Sequence, residues 1–84
     1  MFYVYILEDP KTRSRYIGFT SHLSQRIRQH QNGEVITTRT WTGPQLIYAE
    51  YYRNKSDAIG RELFLKSGAG WRFLKKQIQH YLAE

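Results

Sequence analysis

Two short apolar segments near the N-terminus, separated by a polar turn, constrain the fold more than any other part of the chain. Residues 2–7 are aromatic or aliphatic throughout, and residues 14–19 resume a strand-like pattern. Residues of this kind favour a pleated, mostly buried strand. The link at residues 8–11 contains a proline and turn-forming acids, so we expect it to end the first strand. Strands joined by so short a link are predicted to pair as an antiparallel hairpin.

The hairpin is expected to bring two phenols together. Because side chains alternate across a strand, Tyr5 shares a face with positions 3 and 7, and Tyr16 shares a face with Gly18. Pairing can then place Tyr5 beside Tyr16, and Gly18, which has no side chain, leaves room for another group to approach. The two tyrosines are interpreted either as a packed core pair or as part of a functional site.

The composition indicates one small basic domain over residues 1–84, with enough apolar residues for a single core. Thirteen lysine and arginine residues against seven acids leave a net charge of +6, which favours an anionic partner such as nucleic acid. The absence of cysteine excludes disulfides and thiolate metal sites. With no long apolar run and no signal-peptide pattern, we expect a cytoplasmic protein.

A helix is predicted from about residue 21 to residue 31, with Thr20 and Ser21 as its capping pair. Arg26 and His30 are four positions apart, so they lie on one face of this helix, beside a narrow apolar stripe. The pair is interpreted either as a solvated face or, because it follows the tyrosine hairpin, as part of the same site.

The polar loop at residues 34–43 mixes hydroxyl groups with one arginine, Arg39, and one tryptophan, Trp41. Threonine and arginine side chains bind phosphates, and a tryptophan can stack on a base. The loop is therefore a candidate nucleic-acid contact, although Trp41 can equally fill the core.

A third strand is predicted at residues 45–52, followed by a helix that Ser56 caps and that runs to about Lys66. Glu62 lies on the apolar side of this helix, where a carboxylate is costly to bury unless it pairs with a cation or holds a metal. A salt bridge to Lys66 on the next turn is the simpler explanation, and a metal site is the alternative.

The C-terminal part is predicted to begin with a flexible break at residues 68–70 and to continue as a helix from Trp71 to about residue 83. Trp71, Leu74 and Ile78 recur at helical spacing, so we expect this stripe to dock on the sheet as core.

Two phenols, a guanidinium, an imidazole and one carboxylate suit phosphodiester hydrolysis. A phenol or imidazole can assist deprotonation of water, and arginine binds phosphate oxygens. One carboxylate can hold a magnesium ion that otherwise binds water and substrate phosphate.

In order and spacing, the motifs resemble the GIY-YIG endonuclease domain family over nearly the whole chain, and above all its small single-domain bacterial members. These are sometimes grouped with excision-repair and Holliday-junction nuclease relatives. The matching positions are residues 3–5, 16–18 and 40–50, together with Leu23, Arg26, His30, Ala58, Arg61, Glu62, Lys66, Ser67 and Gly68.

The resemblance implies an α+β fold, with a three-stranded antiparallel sheet flanked by three helices. It implies a DNA endonuclease that leaves a 5′-phosphate and a 3′-hydroxyl. Tyr5 or Tyr16 would act as general base or orient the attacking water, Arg26 would bind the scissile phosphate, and His30 would aid proton transfer or orient a tyrosine. Glu62 would be the sole protein ligand of one Mg²⁺ or Mn²⁺ ion.

Branched or flapped DNA is the expected substrate, with a link to repair or recombination and a protein partner that supplies specificity. Arg39, Trp41 and Lys66 are the expected nucleic-acid contacts. A phenol is almost fully protonated near neutrality, so a tyrosine base needs nearby cations that lower its pKa. Arg26 and Arg15 are the candidates, and cleavage is expected to rise with pH.

The chain departs from the family pattern at three positions. Tyr3 replaces the glycine of the first motif, Phe19 stands where several active members have a lysine, and Leu74 stands where several have an asparagine near the metal. Gln77 is a candidate substitute for that asparagine. Two other functions fit the residues, a non-catalytic nucleic-acid-binding module with the same fold and a structural protein in which the tyrosines and Glu62 serve packing.

Overall fold

The computed structural model describes residues 1–84 as one antiparallel sheet of three strands in the order β2–β1–β3, packed against helices. The α+β architecture confirms the fold that the sequence predicts. None of the helices is both long and apolar enough to cross a membrane. The elements are β1 (Phe2–Glu8), β2 (Arg15–Thr20), α1 (Leu23–Gln31), a 3-10 turn (Ile36–Thr38), β3 (Gln45–Tyr52), α2 (Lys55–Leu65), α3 (Gly68–Gln77) and α4 (Gln79–Leu82).

The predicted hairpin is present, and its central strand β1 is buried on both faces. Tyr5 pairs with Gly18, and Leu7 pairs with Tyr16, so Tyr5 and Tyr16 lie on the same face as predicted. On the opposite face, Val4 and Ile6 pack into the hydrophobic core, to which α2 and α3 contribute Ala58, Leu65 and Leu74. The helix α1 lies on the phenol face, where its one buried residue, His30, meets Tyr5.

The capping residues of α1 and α2 differ from those that the sequence predicts. The helix α1 begins at Leu23 rather than at residue 21, because Thr20 Oγ1 accepts a hydrogen bond from the backbone of His22 and forms a turn before the helix. The N-cap of α2 is Asn54, not Ser56, since its side-chain oxygen accepts from two backbone N–H groups of the first turn, at 2.9 and 3.3 Å.

The prediction of a flexible break at residues 68–70 is wrong. These residues form the first turn of α3, which Ser67 caps by accepting from the backbone N–H of Gly70. An added Cβ at Gly70 would collide with the carbonyl oxygen of Phe64 and lie 2.5 Å from Cα of Leu65. The glycine therefore permits close approach of two helices. The predicted single C-terminal helix is also interrupted, because Ile78 leaves helical geometry between α3 and α4.

Glu8, which the sequence placed in a turn, is instead the last residue of β1 and is 1% exposed. Its carboxylate forms ion pairs of 3.1 Å with Arg13 and with Arg15, and it accepts a hydrogen bond from the hydroxyl of Tyr81 in α4. Burial alone would raise the pKa of Glu8, but Tyr81 and the two arginines hold it below its ordinary value of 4.5. This cluster joins α4 to the sheet.

A second carboxylate cluster joins the edge strand β3 to α2. Arg61 donates from Nε and Nη2 to the two carboxylate oxygens of Glu50 in β3, at 2.8 and 3.0 Å, and Tyr48 and Tyr52 donate to the same group. Burial raises the pKa of Glu50, but Arg61 and the two hydroxyls more than offset it and keep it below 4.5. The arrangement fixes the flank of α2 that faces β3.

Substitution of Gly70 provides a test of the close contact between α2 and α3. We expect Gly70→Ala to lower the free energy of unfolding by about 1–3 kcal/mol, because the new methyl group meets backbone that cannot move aside. Urea denaturation measures the change. Gly60→Ala in α2 is the matched control, since an added Cβ there meets nothing within 4 Å. It should stabilise the protein by about 0.5–1 kcal/mol through helix propensity, and equal effects of the two changes would contradict the assignment.

Candidate active site

The ring of Tyr5 lies across Gly18 and beside the ring of Tyr16. The two ring centroids are 6.1 Å apart. A side chain at Gly18 would collide with the phenol of Tyr5 and come within 2.8 Å of Cε1 of Tyr16. The space above Gly18, which was predicted to admit another group, is therefore filled by the ring of Tyr5. The glycine lets the two phenols converge on one face of the hairpin.

His30 joins this pair from α1 and lies almost wholly out of solvent, with 1% exposure. Its Nε2 is 2.9 Å from the hydroxyl of Tyr5, and its Nδ1 is 2.8 Å from Oγ1 of Thr38. Its ring centroid is 4.8 Å from that of Tyr16. Burial and the positive charge of Arg26 both lower the pKa of His30 below its ordinary value of 6.5, so the imidazole is neutral at physiological pH.

The electrostatics favour one direction for the hydrogen-bond chain. The guanidinium of Arg26 acts on the phenols of Tyr5 and Tyr16, and Tyr5 holds the pKa of Arg26 above its ordinary value. A guanidinium only donates, so it favours a lone pair of the Tyr5 oxygen on its side. The Tyr5 hydroxyl then donates to Nε2 of His30, and the proton on Nδ1 is donated to Thr38.

Tyr5 is a poor base in this setting. Burial is the main cause that raises its pKa to about 12; Arg26 offsets only part of the increase, and the nearby phenol of Tyr16 adds to it. Arg15, the second cation expected to lower a phenol pKa, is engaged elsewhere, because it pairs with Glu8. Tyr5 thus stays protonated near neutrality and acts as a positioning residue, while Tyr16 is the phenol with partial solvent access.

Glu62 makes no hydrogen bond to this cluster, and it lies on α2, on the other side of the sheet. Successive helical residues turn by about 100°, so Arg61 and Glu62 lie on opposite sides of the inner face formed by Ala58 and Leu65. Arg61 faces Glu50 in β3. Given the order β2–β1–β3, the flank that carries Glu62 faces the β2 edge.

The simple salt bridge that the sequence suggests is present, since Nζ of Lys66 lies 3.3 Å from Oε2 of Glu62. The lysine side chain is 51% exposed and the carboxylate side chain is 19% exposed. An exposed pair at this helical spacing contributes only about 0.3–0.5 kcal/mol. The ion pair therefore leaves the carboxylate available to a competing cation.

The donor set fits one kind of metal. No group of three or more histidine, cysteine, aspartate or glutamate side chains is placed to hold an ion. A single carboxylate at a solvent-accessible edge fits a hard divalent cation that keeps most of its water ligands, such as Mg²⁺ or Mn²⁺. It does not fit a structural zinc ion, which needs four protein ligands.

Two cavities lie along the edge strand β2, one at each end. The first, of about 360 Å³, is lined by Thr20, Gln25, Arg26 and Gln29 among others. The second, of about 400 Å³, includes Arg15, Tyr16, Lys66, Ser67 and Trp71. Arg26 and Tyr16 each open into one of these cavities, so the phenol cluster lies between them and is reachable from the edge of the sheet.

Thr38 is the member of the cluster that sequence reasoning did not single out. It is fully buried, and its bond to His30 fixes the loop at residues 34–43 beside the phenols. No periodic pattern marks such a residue. Arg39 follows it directly, is exposed and forms no ion pair, and Trp41 is half-buried. Both remain candidate nucleic-acid contacts.

The departures from the family pattern have clear structural positions. Phe19 faces away from the phenols and stacks on Phe2, with ring centroids 6.0 Å apart. Leu74 is 1% exposed in the hydrophobic core, so it lies away from any metal. Gln77, the suggested substitute, is the exposed last residue of α3.

Comparison with known proteins identifies similar chains. The model of the GIY-YIG catalytic domain matches residues 1–70. A UPF0213 protein of Clostridium perfringens is 42% identical over 67 residues, which cover 79% of this chain and 71% of that one. A UPF0213 protein of Streptococcus pneumoniae is 32% identical over 83 residues, which cover 98% of this chain and 78% of that protein. The solution NMR structure of a UPF0213 protein from Bacillus halodurans has a TM-score of 0.57 and 29% identity, covering 93% of this chain and 86% of that chain.

The buried neutral His30 predicts a specific loss of stability in mild acid. The unfolded chain binds a proton at this histidine below pH 6.5, whereas the folded chain binds it only at lower pH. The free energy of unfolding should therefore decrease by up to about 1.4 kcal/mol per pH unit below that value, until the folded pKa is reached. Glu8 and Glu50 do not interfere, because their contribution is lost only below 4.5.

Urea denaturation at several pH values between 4.5 and 6.5 measures the slope, which is how steeply the free energy of unfolding depends on pH. His30→Gln should flatten it, and His80→Gln, which changes an exposed histidine of α4, should retain it. An unchanged slope in His30→Gln would show that another group carries the dependence.

Proposed function

The chain belongs to the GIY-YIG catalytic-domain family, whose members are nucleases, and we propose that it is a divalent-metal-dependent endonuclease that hydrolyses DNA phosphodiester bonds. The observation that carries the proposal is the convergence of Tyr5, Tyr16, Arg26 and His30 from two strands and one helix. A core tyrosine pair needs neither a neighbouring guanidinium nor a buried neutral imidazole.

Each member of the cluster has a distinct role in this proposal. Arg26 binds the non-bridging oxygens of the scissile phosphate and stabilises the negative charge that develops there. Tyr16, the partly exposed phenol, orients the attacking water and, after losing its own proton to solvent, accepts the proton of that water as the phenolate. Tyr5 interacts electrostatically with Arg26, whose guanidinium donates to Oε1 of Gln29 at 3.0 Å. Tyr5 is itself fixed by His30, which Thr38 orients from the other ring nitrogen.

Glu62 is the proposed ligand of the metal, at the β2 edge where Lys66 now occupies its carboxylate. The ion would supply Lewis-acid stabilisation of the phosphate oxygens. Substrate phosphate, water and one carboxylate together satisfy a magnesium-type ion. Lys66, once released, remains beside the site and can bind a phosphate.

Contacts to phosphates fix the position of a protein on DNA but do not read the base sequence. The net charge of +6 and the open edge of β2 therefore favour a substrate defined by its structure, such as a flap or a junction, and a role in repair or recombination. A partner protein is proposed to supply further specificity.

One observation favours a second function. Glu62 is engaged by Lys66 and does not contact the phenols, which also fits a nucleic-acid-binding module that keeps the fold without cleavage. The experiment on Glu62 that follows separates the two functions.

Glu62→Gln should lower the cleavage rate by at least about 100-fold while DNA binding is retained, because it removes the proposed metal ligand and leaves the basic surface intact. The measurement is cleavage of flap, fork, four-way junction and duplex DNA with Mg²⁺ or Mn²⁺. Asp57→Asn, in the exposed first turn of the same helix, is the matched control and should cleave as the wild type does. Binding without cleavage by the wild type under every condition would support the binding module instead.

The pH dependence of cleavage distinguishes the two phenols. With chemistry rate-limiting, the wild-type rate should rise between about pH 7 and 9.5, as expected for a phenol that must lose its proton. Tyr16→Phe should remove the rise. Tyr5→Phe should lower the rate but keep the profile, since Tyr5 has a pKa of about 12 and stays protonated throughout. A rise that persists in Tyr16→Phe would assign the base to another group.

A further inference from the structure

Trp71 departs from the role that its spacing predicts. The sequence places it in the core stripe of the C-terminal helix with Leu74, yet Leu74 is 1% exposed and Trp71 is 37% exposed. An exposed indole on a small basic protein offers a large flat surface to a partner. The matched domain model ends at residue 70 and so does not cover this side chain.

The indole is held in place by a fixed cation. The guanidinium carbon of Arg15 lies 4.7 Å from the centroid of the Trp71 ring, and the same guanidinium is tied to the buried carboxylate of Glu8. The ammonium group of Lys75 lies 5.8 Å from the ring centroid. An exposed lysine contact of this kind contributes only about 0.5–1 kcal/mol, so Lys75 can move to a phosphate when another flat group takes its place.

The cavity beside Trp71 also includes Tyr16, the proposed catalytic phenol, in its lining. It has a volume of about 400 Å³, and its lining includes Trp71, Tyr16, Arg15 and Lys66. A strand whose scissile phosphate lies at Tyr16 therefore has its neighbouring nucleotide within reach of the indole. The lining contains two cationic side chains and no acid, since the carboxylates that pair with them, Glu8 and Glu62, are not among the lining residues. Cations in such a lining complement a phosphate backbone.

Stacking on an indole requires an accessible base face. Single-stranded nucleic acids bind to surfaces that combine cations along the backbone with aromatic side chains under the bases, whereas the bases of a duplex are already stacked on each other. We propose that the Trp71 cavity binds an unpaired nucleotide of DNA next to the scissile phosphate, so that the substrate is DNA with a single-stranded segment, such as a flap. The proposal rests on the proposed endonuclease function for the position of the scissile phosphate.

The direct test uses the fluorescence of Trp71 itself. The chain has two tryptophans, so a Trp41→Phe, Glu62→Gln double variant leaves Trp71 as the only indole and should cleave far more slowly than the wild type. Titration with an oligo(dT) of about 12 nucleotides should quench the emission through base stacking. A blunt duplex of equal length should bind through its phosphates without comparable quenching. Equal quenching by both, or none by oligo(dT) at saturation, overturns the proposal.

Affinity supplies the second measurement. In the Glu62→Gln background, Trp71→Ala should weaken oligo(dT) binding by roughly 5- to 150-fold and leave duplex binding almost unchanged, and Trp71→Phe should retain most of the affinity. Lys66→Ala should weaken both ligands. Lys55→Ala is its charge-matched control, because Lys55 begins α2 at the end roughly 16 Å away. Selective binding of oligo(U) over oligo(dT) would assign the cavity to RNA and overturn the proposal for DNA.

Failure of this inference and failure of the endonuclease proposal give different results. If the wild type cleaves DNA and Trp71→Ala cleaves flapped and fully paired substrates in the wild-type ratio, the endonuclease proposal is supported and the proposal of nucleotide binding at Trp71 is wrong. If no metal supports cleavage but oligo(dT) still quenches Trp71 and binds in a Trp71-dependent manner, the site stands and the endonuclease proposal is wrong.

Discussion

The buried hydrogen-bond chain from Tyr5 through His30 to Thr38 supports both the fold and the candidate site. His30 is the one buried residue of α1, so these hydrogen bonds provide the main attachment of that helix to the sheet. The same bonds fix the loop that follows and orient the phenol next to Arg26. Leaving a buried partner of such a bond unsatisfied costs about 1–3 kcal/mol. Residues expected to serve chemistry therefore also determine where α1 lies.

The sheet separates the site into two halves that meet at its edge. The phenols, Arg26 and His30 lie on one face, whereas Glu62 lies on a helix that packs against the other face. Groups from both faces can approach a common ligand only at an edge strand, and β2 is the edge that the Glu62 flank of α2 faces. This explains why the cavities that contain Arg26 and Tyr16 lie along β2 and not over the middle of the sheet. The central strand provides rigidity, and the edge provides access.

Local patterns in the sequence identify most of this arrangement. Alternation in two strands places Tyr5 with Tyr16, and helical spacing places Arg26 with His30, because both rules depend on backbone geometry alone. The roles of Glu8, Thr38 and Trp71 could not be obtained in this way. Their environments depend on partners distant in the chain, such as Tyr81 for Glu8, His30 for Thr38 and Arg15 for Trp71. Gly70 shows the same limit, since a glycine that permits close packing has the same local signature as one that permits flexibility.

The open edge of β2 has a consequence for association between copies of the chain. An edge strand exposes unpaired backbone donors and acceptors, which can recruit a strand from another molecule and start aggregation. If the proposed substrate enters at this edge, a helix cannot cover the strand. Here Arg15 at the start of the strand and Arg26 in the cavity beside its end place cations along the rim. Like-charge repulsion would then keep the edge free for a polyanion while discouraging a second copy of the protein.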